Sequence, residues 1–81
     1  MKVEIYTKNF CPYCKNAKAL LDRKGVKYIE YDITNDEEKK KEMIERSGRM
    51  SVPEIFINSK LIGGNDELQA LEAEGKLDPL L

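Results

Sequence analysis

The chain opens on an alternating stretch in which Val3 and Ile5 are separated by Glu4 and followed by Tyr6 and Thr7, the pattern of a strand over residues 2–7. The period then changes. Tyr13, Ala17, Leu20 and Leu21 recur at helical spacing over residues 12–24 and stop before Gly25, which suits the left-handed residue just past a helix end. Lys27 to Ile33 is β-branched and aromatic, so the first part reads as strand, helix, strand, with a right-handed crossover and parallel strands. A second helix is expected over about 36–47, with Asn35 as its cap, Glu38 reaching back, Met43 and Ile44 as its buried stripe and Gly48 as its stop. The charges from Asp36 to Lys41 belong to its solvated face. Pro53 to Ile57, a two-residue turn at Asn58-Ser59 and Lys60 to Ile62 form a hairpin. The last helix starts after Gly63-Gly64, carries Leu68 and Leu71 and ends at Gly75, leaving Leu77, Leu80 and Leu81 to fold back onto the sheet.

This order predicts an α/β fold: one domain over residues 1–81 with a four-stranded mixed sheet flanked by three helices. The first strand and the one starting near Pro53 should lie innermost, buried on both faces. Eighty-one residues at 41% hydrophobic content support a small core and no membrane span. Fourteen Lys and Arg against fifteen Asp and Glu leave a formal charge of −1, so bulk charge recruits neither nucleic acid nor an anionic membrane. The start of the chain has no basic segment leading into an apolar signal stretch, and a cytoplasmic monomer is expected.

Both cysteines fall in one tetrad, Cys11-Pro12-Tyr13-Cys14, where the first strand hands over to the first helix. Proline is tolerated at the first helical position, which makes Cys11 the cap and Pro12 the first helical residue. The free amides and positive dipole end of the helix favour a thiolate on Cys11, and Cys14, one turn on, is placed to close a disulfide after Cys11 has reacted. A structural zinc site would need four ligands, and the chain has no histidine and no second cysteine pair, so a redox dithiol with no metal is the reading.

Four further features surround this pair. Lys8, on the loop before it, can stabilise a thiolate and receive an anionic group. Tyr13 offers a ring as the wall of a peptide-like ligand site. Pro53 opens an inner strand, where a missing amide is tolerated only at the edge of the ladder; the order of elements with Cys-x-x-Cys after the first strand resembles a thioredoxin-type layout, which makes a cis Val52-Pro53 bond the expectation. A cis bond there would turn the backbone of Val52 outward for β-type pairing with a substrate. Gly63-Gly64 followed by Asn65 and Asp66 exposes amides suited to a carboxylate, with Asp66 able to accept from an amino group. A ligand with a thiol, a carboxylate and an α-amino acid end satisfies all four, and glutathione has all three.

Taken together, Cys11-Pro12-Tyr13-Cys14, Ser51-Val52-Pro53 and Gly63-Gly64-Asn65-Asp66 resemble the motifs of bacterial dithiol glutaredoxins, over essentially the whole chain. Serine replaces the usual threonine before Val52, and Asn65 stands where many members have cysteine. The resemblance implies a thioredoxin-like fold and catalysis by Cys11 and Cys14. It implies a glutathione site built from Lys8, Tyr13, Val52, Pro53, Asn65 and Asp66, with Lys8 facing the glycine carboxylate, Glu67 as a helper and Arg49 assisting from its loop if it is not merely solvated. It also implies glutathione as co-substrate with no tightly bound cofactor, and disulfide-containing or glutathionylated proteins as partners. Two alternatives remain open at this point: a thioredoxin-type reductant, and a carrier of a [2Fe-2S] cluster held by Cys11 of two chains and two glutathiones.

Overall fold

The computed structural model describes residues 1–81. β1 (Val3–Thr7) runs into α1 (Pro12–Arg23), which returns through β2 (Ile29–Asp32). Then come α2 (Glu37–Ser47), β3 (Glu54–Ile57), β4 (Lys60–Gly63) and α3 (Asn65–Ala73), and a 3-10 turn at Asp78–Leu80. The sheet order is β2-β1-β3-β4, with β1 parallel to β2 and antiparallel to β3, and β3 antiparallel to β4. This is the mixed four-stranded sheet with three helices that the hydrophobic pattern implies.

Neighbouring residues of a strand face opposite ways, so each inner strand supplies two cores. Val3, Ile5, Ile55 and Ile57 pack with Ala17, Leu20 and Leu21 of α1 and Leu68 of α3. Tyr6 and Phe56 face the other way and pack with Met43 of α2 and with Ile33. Every residue of β1 and β3 is buried.

Several boundaries differ from the expected ones. Asp36 rather than Asn35 caps α2, because its carboxylate accepts the amide of Lys39 at 3.0 Å. Glu38 then sits one position short of the place from which a side chain reaches back to the cap. The edge strand β2 is shorter than the Lys27–Ile33 stretch, and β3 begins at Glu54 because Pro53 has no amide to give the ladder. The Val52-Pro53 peptide is cis. Leu77 is buried and Leu81 packs against the core, but Leu80 stands in solvent, since Leu81 takes the place beside Leu77. No helix is long and apolar enough to cross a membrane.

Burying β1 on both faces also buries Glu4, which is 3% exposed. A lone carboxylate there would be costly, and α2 supplies its partner. Arg46 donates through Nη1 and Nη2 to the two oxygens of Glu4 at 3.1 and 3.0 Å, and the Tyr31 hydroxyl donates to Oε2 at 2.8 Å. The hydrogen bonds from Arg46 outweigh burial and hold the Glu4 carboxyl below its ordinary value of 4.5. Arg46 also donates to the Tyr6 hydroxyl at 2.8 Å and lies 4.0 Å from the centroid of the Phe56 ring. Burial, followed by the bond to Glu42, pushes the Tyr6 phenol up to about 12.

A carboxyl whose folded value is depressed contributes stability above its unfolded value and loses that contribution as pH falls through the folded one. Arg46→Met is therefore expected to cost about 2–4 kcal/mol at neutral pH, less than a fully enclosed pair because Arg46 is 25% exposed. The deficit should shrink below about pH 4.5, where Glu4 takes up a proton in both unfolded states. Urea unfolding across pH checks this. A deficit that stays constant in acid would assign the cost to packing of the guanidinium instead of to its charge.

Candidate active site

Cys11 lies between the end of β1 and the start of α1 with φ −106° and ψ 103°, and Pro12 is the first helical residue. Its Sγ accepts the amide of Cys14 at 3.1 Å, so the cysteine itself caps the helix. Across the gap, the sulfur lies 3.9 Å from the carbonyl oxygen of Val52, at the mouth of the cis peptide. Both cysteines are free, with Cys11 partly exposed and Cys14 buried. Burial pushes the Cys14 thiol up to about 12, with the bond to Cys11 and the charge of Cys11 adding to the effect. The two sulfurs thus differ in access, and Cys14 is the one that burial makes hard to ionise.

The loop ahead of Cys11 is tied to the segment that follows β2. The amide of Asn9 donates to Thr34 Oγ1 at 2.9 Å, and the Thr34 hydroxyl donates to Asp32 at 2.6 Å. Phe10 follows in the left-handed region at φ 56° and is 96% exposed, although nothing in the sequence pattern singled it out. Lys8 lines a hollow of about 160 Å³ together with Cys11, Cys14, Lys15 and Lys18.

A second concavity, an open groove of about 190 Å³, is lined by Tyr13, Val52, Pro53, Asn65 and Asp66, with Arg49 and Glu67 at its rim. Tyr13 is 61% exposed, free to meet a ligand. Of the six residues expected to contact glutathione, five share this groove, and Lys8 opens onto the hollow instead. Cys11 borders both, through its place in the hollow and its approach to Val52.

Two carboxyls complete the picture. Arg49 is not left to solvent: its Nη1 lies 2.6 Å from Glu67 Oε1, and this bond is the main reason the Glu67 carboxyl is held low. The position of Glu67, three residues after the cap Gly64, is the sequence signal for a side chain that returns to a helix start. Glu54, directly after Pro53, is fully buried. One of its oxygens accepts the Ser51 hydroxyl at 3.0 Å, and the other finds no partner. Burial raises its carboxyl above the usual 4.5. Its acidic side chain in an inner strand was the available clue.

Comparison with known proteins agrees on one family. The glutaredoxin family model matches residues 3–62. The chain is 60% identical over 79 residues to glutaredoxin 3 of Escherichia coli, covering 98% of this chain and 95% of that one. Among solved structures, the glutaredoxin of Brucella melitensis superposes with a TM-score of 0.87 at 56% identity, over 100% of this chain and 88% of that one. The buckwheat glutaredoxin–glutathione complex gives a TM-score of 0.89 at 29% identity, over 98% of this chain and 74% of that one.

Two outcomes follow from the geometry. At neutral pH a limiting amount of iodoacetamide should modify Cys11 and spare Cys14, because Cys14 is both enclosed and hard to ionise. Fragment ions of the tryptic peptide Asn9–Lys15, which carries both thiols, distinguish the two, and equal labelling would contradict the assigned asymmetry. The second outcome concerns Glu54, whose raised folded value means that stability falls as pH rises from its unfolded value to its folded one. Glu54→Gln should therefore melt higher than the unsubstituted protein at about pH 7, with the gap closing by about pH 4. Calorimetric melting over that range checks it, and a gap independent of pH would mean that ionisation is not the cause.

Proposed function

The chain belongs to the glutaredoxin family of thiol–disulfide oxidoreductases, and from that premise we propose that it is a glutathione-disulfide oxidoreductase acting through Cys11 and Cys14. The observation that carries this reading is the accessible Cys11 sulfur, which accepts the first-turn amide of α1 and stands beside a groove walled by Tyr13, Val52 and Asp66. The redox chemistry needs only these two thiols and glutathione as co-substrate.

In the route for glutathionylated proteins, the Cys11 thiolate attacks the glutathione sulfur. The protein thiolate leaves and takes up a proton, and Cys11 holds glutathione in a mixed disulfide. A second glutathione thiolate attacks that glutathione sulfur, which releases glutathione disulfide and regenerates the Cys11 thiolate. In the route for protein disulfides, Cys11 first joins one substrate sulfur and Cys14 then attacks Cys11, which frees the substrate dithiol and leaves a Cys11–Cys14 bond. Two glutathiones reduce that bond. NADPH enters through a separate reductase.

In this reading the backbone of Val52, beside Pro53, pairs with the cysteinyl part of glutathione. Asp66 and the amides of Asn65 and Asp66 receive its γ-glutamyl end, Tyr13 flanks its middle, and Lys8 attracts the glycine carboxylate from the side of the hollow. The buckwheat protein's complex with glutathione supports the choice of ligand. The reading extends to a monomer in the cytoplasm, where reducing conditions keep the pair available as thiols. Its protein partners carry disulfides or glutathione adducts.

The test is turnover with glutathione, glutathione reductase and NADPH. Cys14→Ser should keep reduction of a glutathionylated peptide, since glutathione resolves the Cys11 adduct, and should lose reduction of protein disulfides that need a second thiol. Cys11→Ser should lose both. Turnover retained in Cys11→Ser would remove the assigned nucleophile.

A further inference from the structure

We propose that Glu67 is an internal carboxylate that competes with glutathione for Arg49 and thereby sets how tightly the groove holds its ligand; this rests on the groove being the glutathione site. Arg49 is the only cation among the side chains lining the groove. It is already engaged, with Nη1 2.6 Å from Glu67 Oε1. Glu67 reaches this position from the third residue of α3, and its carboxylate lies back against the paired glycines. A β-carbon on Gly63 would come 2.6 Å from Oε1, and one on Gly64 would come 3.8 Å from Oε2. The carboxylate therefore sits at the start of α3, where free amides and the helix dipole favour an anion. Arg49, followed by the amides of Gly64 and Glu67, holds it in the charged form.

The groove without ligand thus contains the negative charge that a ligand would otherwise bring. Glutathione has a carboxylate at each end. One that approaches Arg49 must share the guanidinium with Glu67 or displace it, while the buried Glu54 behind the loop adds a second acidic group facing the same cation. Displacement is feasible because the Glu67 side chain remains 41% exposed. The opposite role, in which Glu67 holds Arg49 in place for the ligand, predicts the opposite sign for its removal.

The probe is S-methylglutathione, which cannot form a disulfide, titrated calorimetrically into the full chain at low salt. Glu67→Gln and Glu67→Ala should each bind it about two- to fivefold more tightly than the unsubstituted protein, the range of an exposed ion pair. The diethyl ester of the same probe, which lacks both carboxylates, should show no gain. Asp66→Ala serves as the reference for the groove, and melting curves confirm that each variant is folded. If the Glu67 variants bind no tighter while Asp66→Ala binds more weakly, the competition is overturned and the groove stands. A gain shared by the ester also overturns it, since charge would not be the cause. If neither Glu67 nor Asp66 affects binding, the groove is not the glutathione site, and both readings fall.

Discussion

The antiparallel pairing of β1 with β3 is the contact on which the rest of the arrangement depends. Tyr6 stands opposite Glu54 and Val3 opposite Ile57, so the end of β1 meets the beginning of β3. The segments just outside that point, 8–11 and 49–53, therefore leave the sheet at the same edge. β4 runs antiparallel to β3 with Gly63 opposite Ile55, which brings the start of α3 to that edge as well. Cysteine, cis peptide and paired glycines are far apart in the chain, and this one register gathers them. A slip of β1 by one residue against β3 would turn Ile5 toward α2 and Tyr6 toward α1 while Ile55 kept its face, mixing the two cores.

A sheet buried on both faces in so short a chain has little room for polar side chains, yet β1 and β3 each carry a glutamate. The two are treated differently. Glu4 lies where α2 can deliver a guanidinium, and both of its oxygens accept hydrogen bonds. Glu54 is fully buried beside Pro53, at the end of β3 nearest the candidate site, and it has only Ser51 as a partner. The fold is thus best satisfied away from the site and least satisfied next to it, the distribution expected where positioning for chemistry competes with stability.

The sequence carried the periodic parts of this structure well, because Leu20, Leu21, Ile5 and Ile55 obey one rule over several residues. It also carried the cap role of Cys11, since proline at the next position leaves few alternatives. Boundaries were harder to read. Asn35 and Asp36 are both good caps, and the choice turned on which side chain reaches the amide of Lys39. Pairings between distant side chains were not legible at all. Arg46 has the same local appearance as Arg23, and only the stacking of α2 over β1 distinguishes a residue that neutralises Glu4 from one at an exposed helix end. Arg49 and Glu67 read as helpers at the ligand site, and their pairing with each other emerges only once β3, β4 and α3 bring them together. Lys8, read from its place on the loop before the tetrad as a neighbour of the thiols, shares a hollow with both cysteines.

The unequal thiols suggest how the chemistry keeps its order. Burial is the larger reason that Cys14 resists ionisation, and the remaining upward contributions come from the bond to Cys11 and from its charge. The charge contribution exists only while Cys11 is ionised. When Cys11 enters a mixed disulfide it carries no charge, so the repulsion on Cys14 disappears while the downward influences of the Lys8 backbone and of Lys18 remain. Ionisation of Cys14 becomes easier at the moment when a second nucleophile has something to attack. Because burial persists, the gain is partial, and in the proposed reaction glutathione from solvent can still reach the adduct first. Under the proposed reaction, the same two atoms can therefore support both a monothiol and a dithiol route, the burial of Cys14 slowing its attack and leaving room for the monothiol one.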